Sequence, residues 1–154
     1  MKTTIRFLAI AAVLMFFSAC CSQPKTTKNP TADNSTNTAQ TMTKQSDNFI
    51  FQADIPWDDA GDGVVRQVLG YNDNLMMVKV KFLKGQKGAL HSHPHSQCTY
   101  VASGKFEFTV AGVTHIVEAG DALYKQPDIE HGCLCLEDGI LIDCFNPMRD
   151  NFLK

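Results

Sequence analysis

The sequence predicts an all-β domain, an antiparallel barrel or jelly roll, running from about residue 48 to the C-terminus. Three observations predict it. Short apolar segments recur with period-two alternation, and Gly, Asp and Asn clusters separate them at even spacing. No stretch carries a helical period of useful length. No self-similarity appears on the scale of about 20–50 residues that would point to a propeller or solenoid.

Taken in order, residues 64–69 read as the first strand and end at the turn cluster Tyr71-Asn72-Asp73-Asn74. Residues 76–82 follow, with Val78, Val80 and Phe82 in alternation, and Gly85-Gln86-Lys87-Gly88 is a loop. After a histidine-rich segment, residues 99–101 lead to a tight turn at Ser103-Gly104, and residues 106–110 alternate cleanly. Ala111-Gly112 turns again before 115–117, Ala119-Gly120-Asp121 precedes 122–124, and Glu137-Asp138-Gly139 separates strands at 133–136 and 140–145.

Ahead of this domain the composition changes twice. Lys2 and Arg6 precede an apolar run over residues 7–17, then Ser18-Ala19-Cys20, the layout of a secretory signal over residues 1–19. The run falls short of the roughly 20 apolar residues needed to span a bilayer. Phe17-Ser18-Ala19-Cys20 resembles a bacterial lipobox, which implies cleavage before Cys20, lipidation of its thiol, and export to the periplasmic face or cell surface. The alternative is an uncleaved anchor. Residues 20–47, rich in Thr, Ser, Asn, Gln and Lys, bury too little apolar surface to offset chain entropy and read as a flexible tether.

Within the 154 residues, 44% hydrophobic and 19% charged side chains suit a packed core, and the net charge is −2. The folded part has no basic cluster and no helix-turn-helix segment, which excludes a nucleic-acid footprint. Of six cysteines, Cys20 and Cys21 belong to the lipobox. An exported location permits disulfides among Cys98, Cys133, Cys135 and Cys144. Cys133 and Cys135, two apart on one strand face, are poorly placed to bond each other and read as small buried hydrophobes. A soft metal site using them is the alternative.

The chemistry concentrates in the histidines. His91-Ser92-His93 sets two imidazoles on one face of a strand, Gln97 can return to that face after Pro94, and His131 opens a later strand just after Pro127. Three imidazoles and one amide oxygen suit one borderline divalent ion such as zinc, nickel, iron or manganese. His95 and His115 read as ordinary polar residues. In full, the pattern is Gly85, His91-x-His93, Gln97 and Gly104, then Gly120-Asp121, Pro127 and His131. It resembles the two cupin motifs, which implies a single cupin barrel with His91, His93, Gln97 and His131 as metal ligands. The family usually carries glutamate where this chain has Gln97. A neutral amide leaves the ion its full charge and makes it a stronger Lewis acid.

The C-terminal run from Leu136 to Leu153, together with Leu69-Gly70-Tyr71 and the His91–Gln97 segment, resembles the KdgF group of small cupins over nearly the whole domain. That resemblance implies a role in pectin and alginate breakdown. Its members convert 4,5-unsaturated monouronates into an open-chain keto acid, without redox change. It also implies that Asp143, Phe145 and Arg149 stand beside the metal. The residues fit independently: Asp143 and Phe145 share a strand face, and Arg149 offers a planar fork for a sugar carboxylate. Two other classes remain open at this stage, a metal cupin dioxygenase and a non-catalytic cupin that captures a sugar acid at the cell surface. Cupins often form homodimers, although no interface is readable in the sequence. Contact with a membrane is expected only through the lipid anchor.

Overall fold

The computed structural model describes residues 44–153; the leader and most of the tether lie outside the described residues. Eight antiparallel strands are present among the described residues: β1 (Asp58–Gly61), β2 (Val64–Asn72), β3 (Leu75–Phe82), β4 (Lys87–His91), β5 (Ser96–Val110), β6 (Val113–Glu118), β7 (Ala122–Lys125) and β8 (His131–Asn146). Helical structure among the described residues is confined to two single 3₁₀ turns, Gln52–Asp54 and Asp150–Phe152, so the all-β expectation holds. The sheet order is β1-β2-β3-β8-β5-β6, with β4 also on β8 and β7 also on β5.

Two strands organise this topology. The first half of β5 pairs with β7 and its second half with β6. The second half of β8 pairs with β3 and its first half with β4, while β5 and β8 pair with each other along their length. Each long strand therefore passes through both layers of a jelly roll, bending where it changes layer.

Those bends correct two expectations. Ser103-Gly104 is not a chain reversal, and Glu137-Asp138-Gly139 does not divide two strands; both lie inside continuous strands, at the register shifts between Val101 and Phe106. The breaks face each other. A Cβ on Gly104 (φ +83°) would lie 2.5 Å from Gly139 Cα, and one on Gly139 would lie 2.5 Å from the Ser103 carbonyl oxygen. Paired glycines let two backbones touch and turn together, so residue types that usually signal a reversal here produce bulges.

Inward positions follow the pleat. Met76, Phe145, Gln97 and Lys125 are successive cross-strand partners on β3, β8, β5 and β7. One step along, Val68, Val78, Asp143, Thr99 and Leu123 form the next row. Val64, Phe82, Val101, Phe106, Phe108, Cys135 and Leu141 make the main core, with Phe82 and Phe106 edge-to-face at 5.5 Å. The first two rows thus mix core residues with polar side chains on the same interior surface. On the outer side of β2, buried Gln67 donates to the carbonyls of Gln52 and Ile55, which holds the N-terminal segment across the strand. The ordered contacts reach back to Ser46, which exchanges hydrogen bonds with Tyr71.

Gly104→Ala should lower stability by about 1–3 kcal/mol more than Gly85→Ala, read from urea midpoints. Both glycines have positive φ, but nothing lies within 4 Å of a Cβ at Gly85. The difference isolates the backbone contact at the bend.

Candidate functional site

The three predicted histidines come together from three segments. His91 is the last residue of β4, His131 is the first of β8, and the two are cross-strand partners. His93 is not on a strand with His91, contrary to the same-face expectation. It sits in the loop between β4 and β5, where Asp128 N–H donates to its carbonyl. Pro94 explains the break, because it has no N–H to donate to a ladder. The convergence survives by another route: one ligand atom from each imidazole lies within 4.8 Å of the others. His93 and His131 are buried, while His91 is exposed at the rim.

Gln97, near the start of β5, completes the group. Its Oε1 lies 3.0 Å from His93 Nε2 and 3.1 Å from His131 Nε2. The His131 ring is held by Nδ1–H donating to the Ile129 carbonyl at 2.9 Å, and His91 Nδ1–H donates to the Ala89 carbonyl at 2.8 Å. Backbone acceptors at Nδ1 leave the Nε2 lone pairs for the interior, the arrangement seen in metal-ligating histidines. Burial, the largest cause, pushes the His131 imidazole down to about 4, and it lowers His93 as well. The neutral His131 lone pair thus faces an amide oxygen, an opposition of acceptors that a divalent cation reconciles. The residues present fit such an ion. Among the described residues this is the one group of three or more His, Cys, Asp or Glu side chains with that convergence.

No cysteine joins it. All four described cysteines are free, and burial pushes the Cys133 thiol up to about 11 and raises Cys135. Cys133 and Cys135 therefore stay protonated, poor ligands and poor nucleophiles.

An acid–base group adjoins the imidazoles. Gln97 Nε2 donates to Asp143 Oδ1 at 2.8 Å and to Thr99 Oγ1 at 3.2 Å. Thr99 also donates to Asp143 Oδ1, and the Lys125 ammonium donates to Thr99. Lys125 is 1% exposed and stands over the Phe108 ring at 5.1 Å. Burial lowers its pKa, and the Asp143 carboxylate opposes that shift. Thr99 and Lys125 were not singled out in the sequence. Their signal was faint: Lys125 is in phase with Leu123 and Thr99 with Val101, so each is polar at an inward position.

Asp143 and Phe145 lie on the inner face of β8 as expected, both buried. Arg149 follows in a short segment anchored to the β2–β3 turn by Asn146 Nδ2–H donating to the Asn74 carbonyl at 2.6 Å. Its guanidinium stands 4.3 Å from the Phe152 ring centroid and 5.5 Å from that of Phe145. One cavity of about 440 Å³ is lined by His91, Gln97, Lys125, His131, Asp143 and Arg149. Such a volume suits a monosaccharide-sized ligand.

Comparison with known proteins agrees with this fold. Residues 78–142 match the cupin domain family. The chain is 41% identical over 107 residues to the pectin degradation protein KdgF of Dickeya dadantii, covering 68% of this chain and 97% of that protein. KdgF from Halomonas sp. superposes with a TM-score of 0.67 at 34% identity, covering 70% of this chain and all (100%) of the other. An RmlC-like cupin from Shewanella frigidimarina gives a TM-score of 0.69 at 44% identity, covering 71% and 98%. The chain belongs to the KdgF family of cupins.

Proposed function

We propose that this protein is a metal-dependent enzyme that opens the ring of 4,5-unsaturated monouronates, yielding the linear 5-keto-4-deoxyuronate. One observation carries the reading: a carboxylate, Asp143, is hydrogen-bonded to the same Gln97 amide that faces the histidines, in a cavity that also holds Arg149. The likeness to a pectin degradation protein supplies the substrate class. His91, His93, Gln97 and His131 would hold the ion. When bound there, it supplies Lewis-acid stabilisation of negative charge on sugar oxygens.

The chain's own residues then have separable tasks. Arg149 grips the uronate carboxylate through its planar fork. Phe145 and Phe152 give an apolar wall that excludes water beside it. Asp143 Oδ1 is committed to Gln97 and Thr99, while Oδ2 has no bonded partner among the described residues and serves as the proton acceptor. It takes the proton of the anomeric hydroxyl as the C1–O5 bond breaks and an aldehyde forms at C1. The electrons of that bond leave on O5 as an enolate conjugated to C4=C5. Protonation at C4 gives the ketone at C5. One proton leaves, one returns, and nothing is oxidised or reduced. On this reading the leader places the activity outside the cytoplasm, tethered through Cys20.

Added to lyase digests, the purified protein should hasten loss of the conjugated alkene's ultraviolet absorbance, and Asp143→Asn should slow it by about 10²–10⁴-fold. A rate equal to the buffer control, with intact uronate recovered from the protein, would replace the enzyme by a binding module.

The histidine shifts predict a pH response. Unfolded imidazoles protonate near 6.5, whereas His131 in the fold protonates near 4. Between those values the unfolded chain binds more protons, so stability falls as pH falls through the window. In metal-free protein the urea midpoint should drop from pH 7 to pH 4.5, with a shallower slope in His131→Gln. Elemental analysis should find one divalent ion per chain at pH 7.5, and markedly less in His131→Gln.

A further inference from the structure

Two cysteines stand opposite each other on the outer side of the sheet, directly behind the site. Burial alternates along β5, with Gln97 and Thr99 buried and Cys98 and Tyr100 exposed. It alternates in the same phase along β8, where Asp143 and Phe145 are buried and Cys144 between them is only partly so. Cys98 and Cys144 therefore share the outer face, and they are cross-strand partners. From the Ser96–Asn146 pair to the Val101–Leu141 pair the register is unbroken, so no bulge offsets the two.

Opposed residues on antiparallel strands have Cα atoms about 4.5–5.5 Å apart, inside the window of about 4.4–6.8 Å that a disulfide spans. The thiols are also near enough to act on each other: burial, then the Asp143 charge, then Cys98 raise the pKa of Cys144. No cysteine opposes the other two among the described residues. Cys133 is paired with Phe108 and Gly88, and Cys135 with Phe106. Met77 and Tyr124 continue the row on either side, which leaves the pair flanked by apolar side chains with Cys98 open to solvent.

We propose that Cys98 and Cys144 are a disulfide site, oxidised by exchange with a small disulfide such as oxidised glutathione, and that the bond staples β5 to β8 in the register that keeps Asp143 beside Gln97. The exposed Cys98 sulfur gives up its proton and attacks one sulfur of the oxidant, whose other half leaves as a thiol. Cys144 gives up its proton and attacks the Cys98 sulfur of that mixed disulfide, and the second half leaves. Two protein thiols lose two electrons and two protons, and the S–S bond of the oxidant gains both as it becomes two thiols. Export through the leader proposed above would bring the pair to a compartment where such a bond persists. The bond needs neither a metal nor the uronate reading. A one-residue slip of β8 would turn Asp143 outward and part the two sulfurs, so bond and site require the same pairing.

The purified full-length protein is reduced, incubated with oxidised glutathione, alkylated, digested without reductant and mapped by mass spectrometry. Cleavage by trypsin and at Glu137 or Asp138 separates Cys144 from Cys133 and Cys135. A peptide pair joining Cys98 to Cys144 should dominate and should vanish with dithiothreitol. The melting temperature of the oxidised form should exceed that of the reduced form by about 5 °C or more, because the bond closes a long loop of the unfolded chain. That gain should be absent from Cys98→Ser and from Cys144→Ser. Cys98 capped by glutathione, or joined to Cys98 of a second copy, with Cys144 still alkylated, would overturn the pairing. A Cys98–Cys144 link that leaves the melting temperature unchanged or lower would overturn the staple.

Discussion

The side-chain amide of Gln97 is the constraint on which the site depends. A primary amide has an acceptor end and a donor end, and here each end faces a different chemistry. Oε1 faces the Nε2 atoms of His93 and His131, while Nε2 donates to Asp143 and Thr99. A glutamate in this place would set a second carboxylate against Asp143 at hydrogen-bonding distance, and two such groups do not both ionise. The departure from the glutamate usual in cupins therefore follows from Asp143. The histidine cluster and the buried carboxylate can be neighbours because the residue between them is neutral and two-faced.

Burial of so much polarity in a small β domain needs compensation, and the pleat provides it. Gln97 and Lys125 are cross-strand partners in one inward row, and Asp143 and Thr99 in the next. Hydrogen bonds run between rows, so Lys125, Thr99, Asp143 and Gln97 form one connected network. Taking Lys125 out of water is offset by the Thr99 hydroxyl, the Asp143 charge and the face of Phe108. Val78, Val80, Phe82 and Leu141 continue the same surface as apolar floor of the cavity, which strengthens every electrostatic contact above it.

Strand β8 supplies most of this geometry. It begins with His131, bends at Gly139 and ends with Asp143 and Phe145 just before the segment bearing Arg149. Because it pairs with β3, β4 and β5, a shift of one residue in its register would turn Asp143 outward and Cys144 inward. The close approach of Gly104 and Gly139 opposes that slip, since a shift of one residue would bring Asp138 or Ile140, each with a Cβ, to the contact.

What the sequence determined by itself was whatever lay in local pattern: the all-β class, the phase of Val78, Val80 and Phe82, the shared face of Asp143 and Phe145, and a set of imidazoles at family spacing. Those signals are local because strand period and turn chemistry act over a few residues. Two misread features, the continuity of β5 through Gly104 and of β8 through Gly139, used the residues of a turn for a bulge. Only the partner strand distinguishes these, and it lies far along the chain. His93 reached its neighbours from a loop instead of a strand, because the carbonyl it needs pinned is held by Asp128. The same holds for Thr99 and Lys125, whose surroundings depend on what stands opposite. A lysine on a short strand is ordinarily solvated, and tertiary structure alone decided that this one faces a buried carboxylate across the barrel.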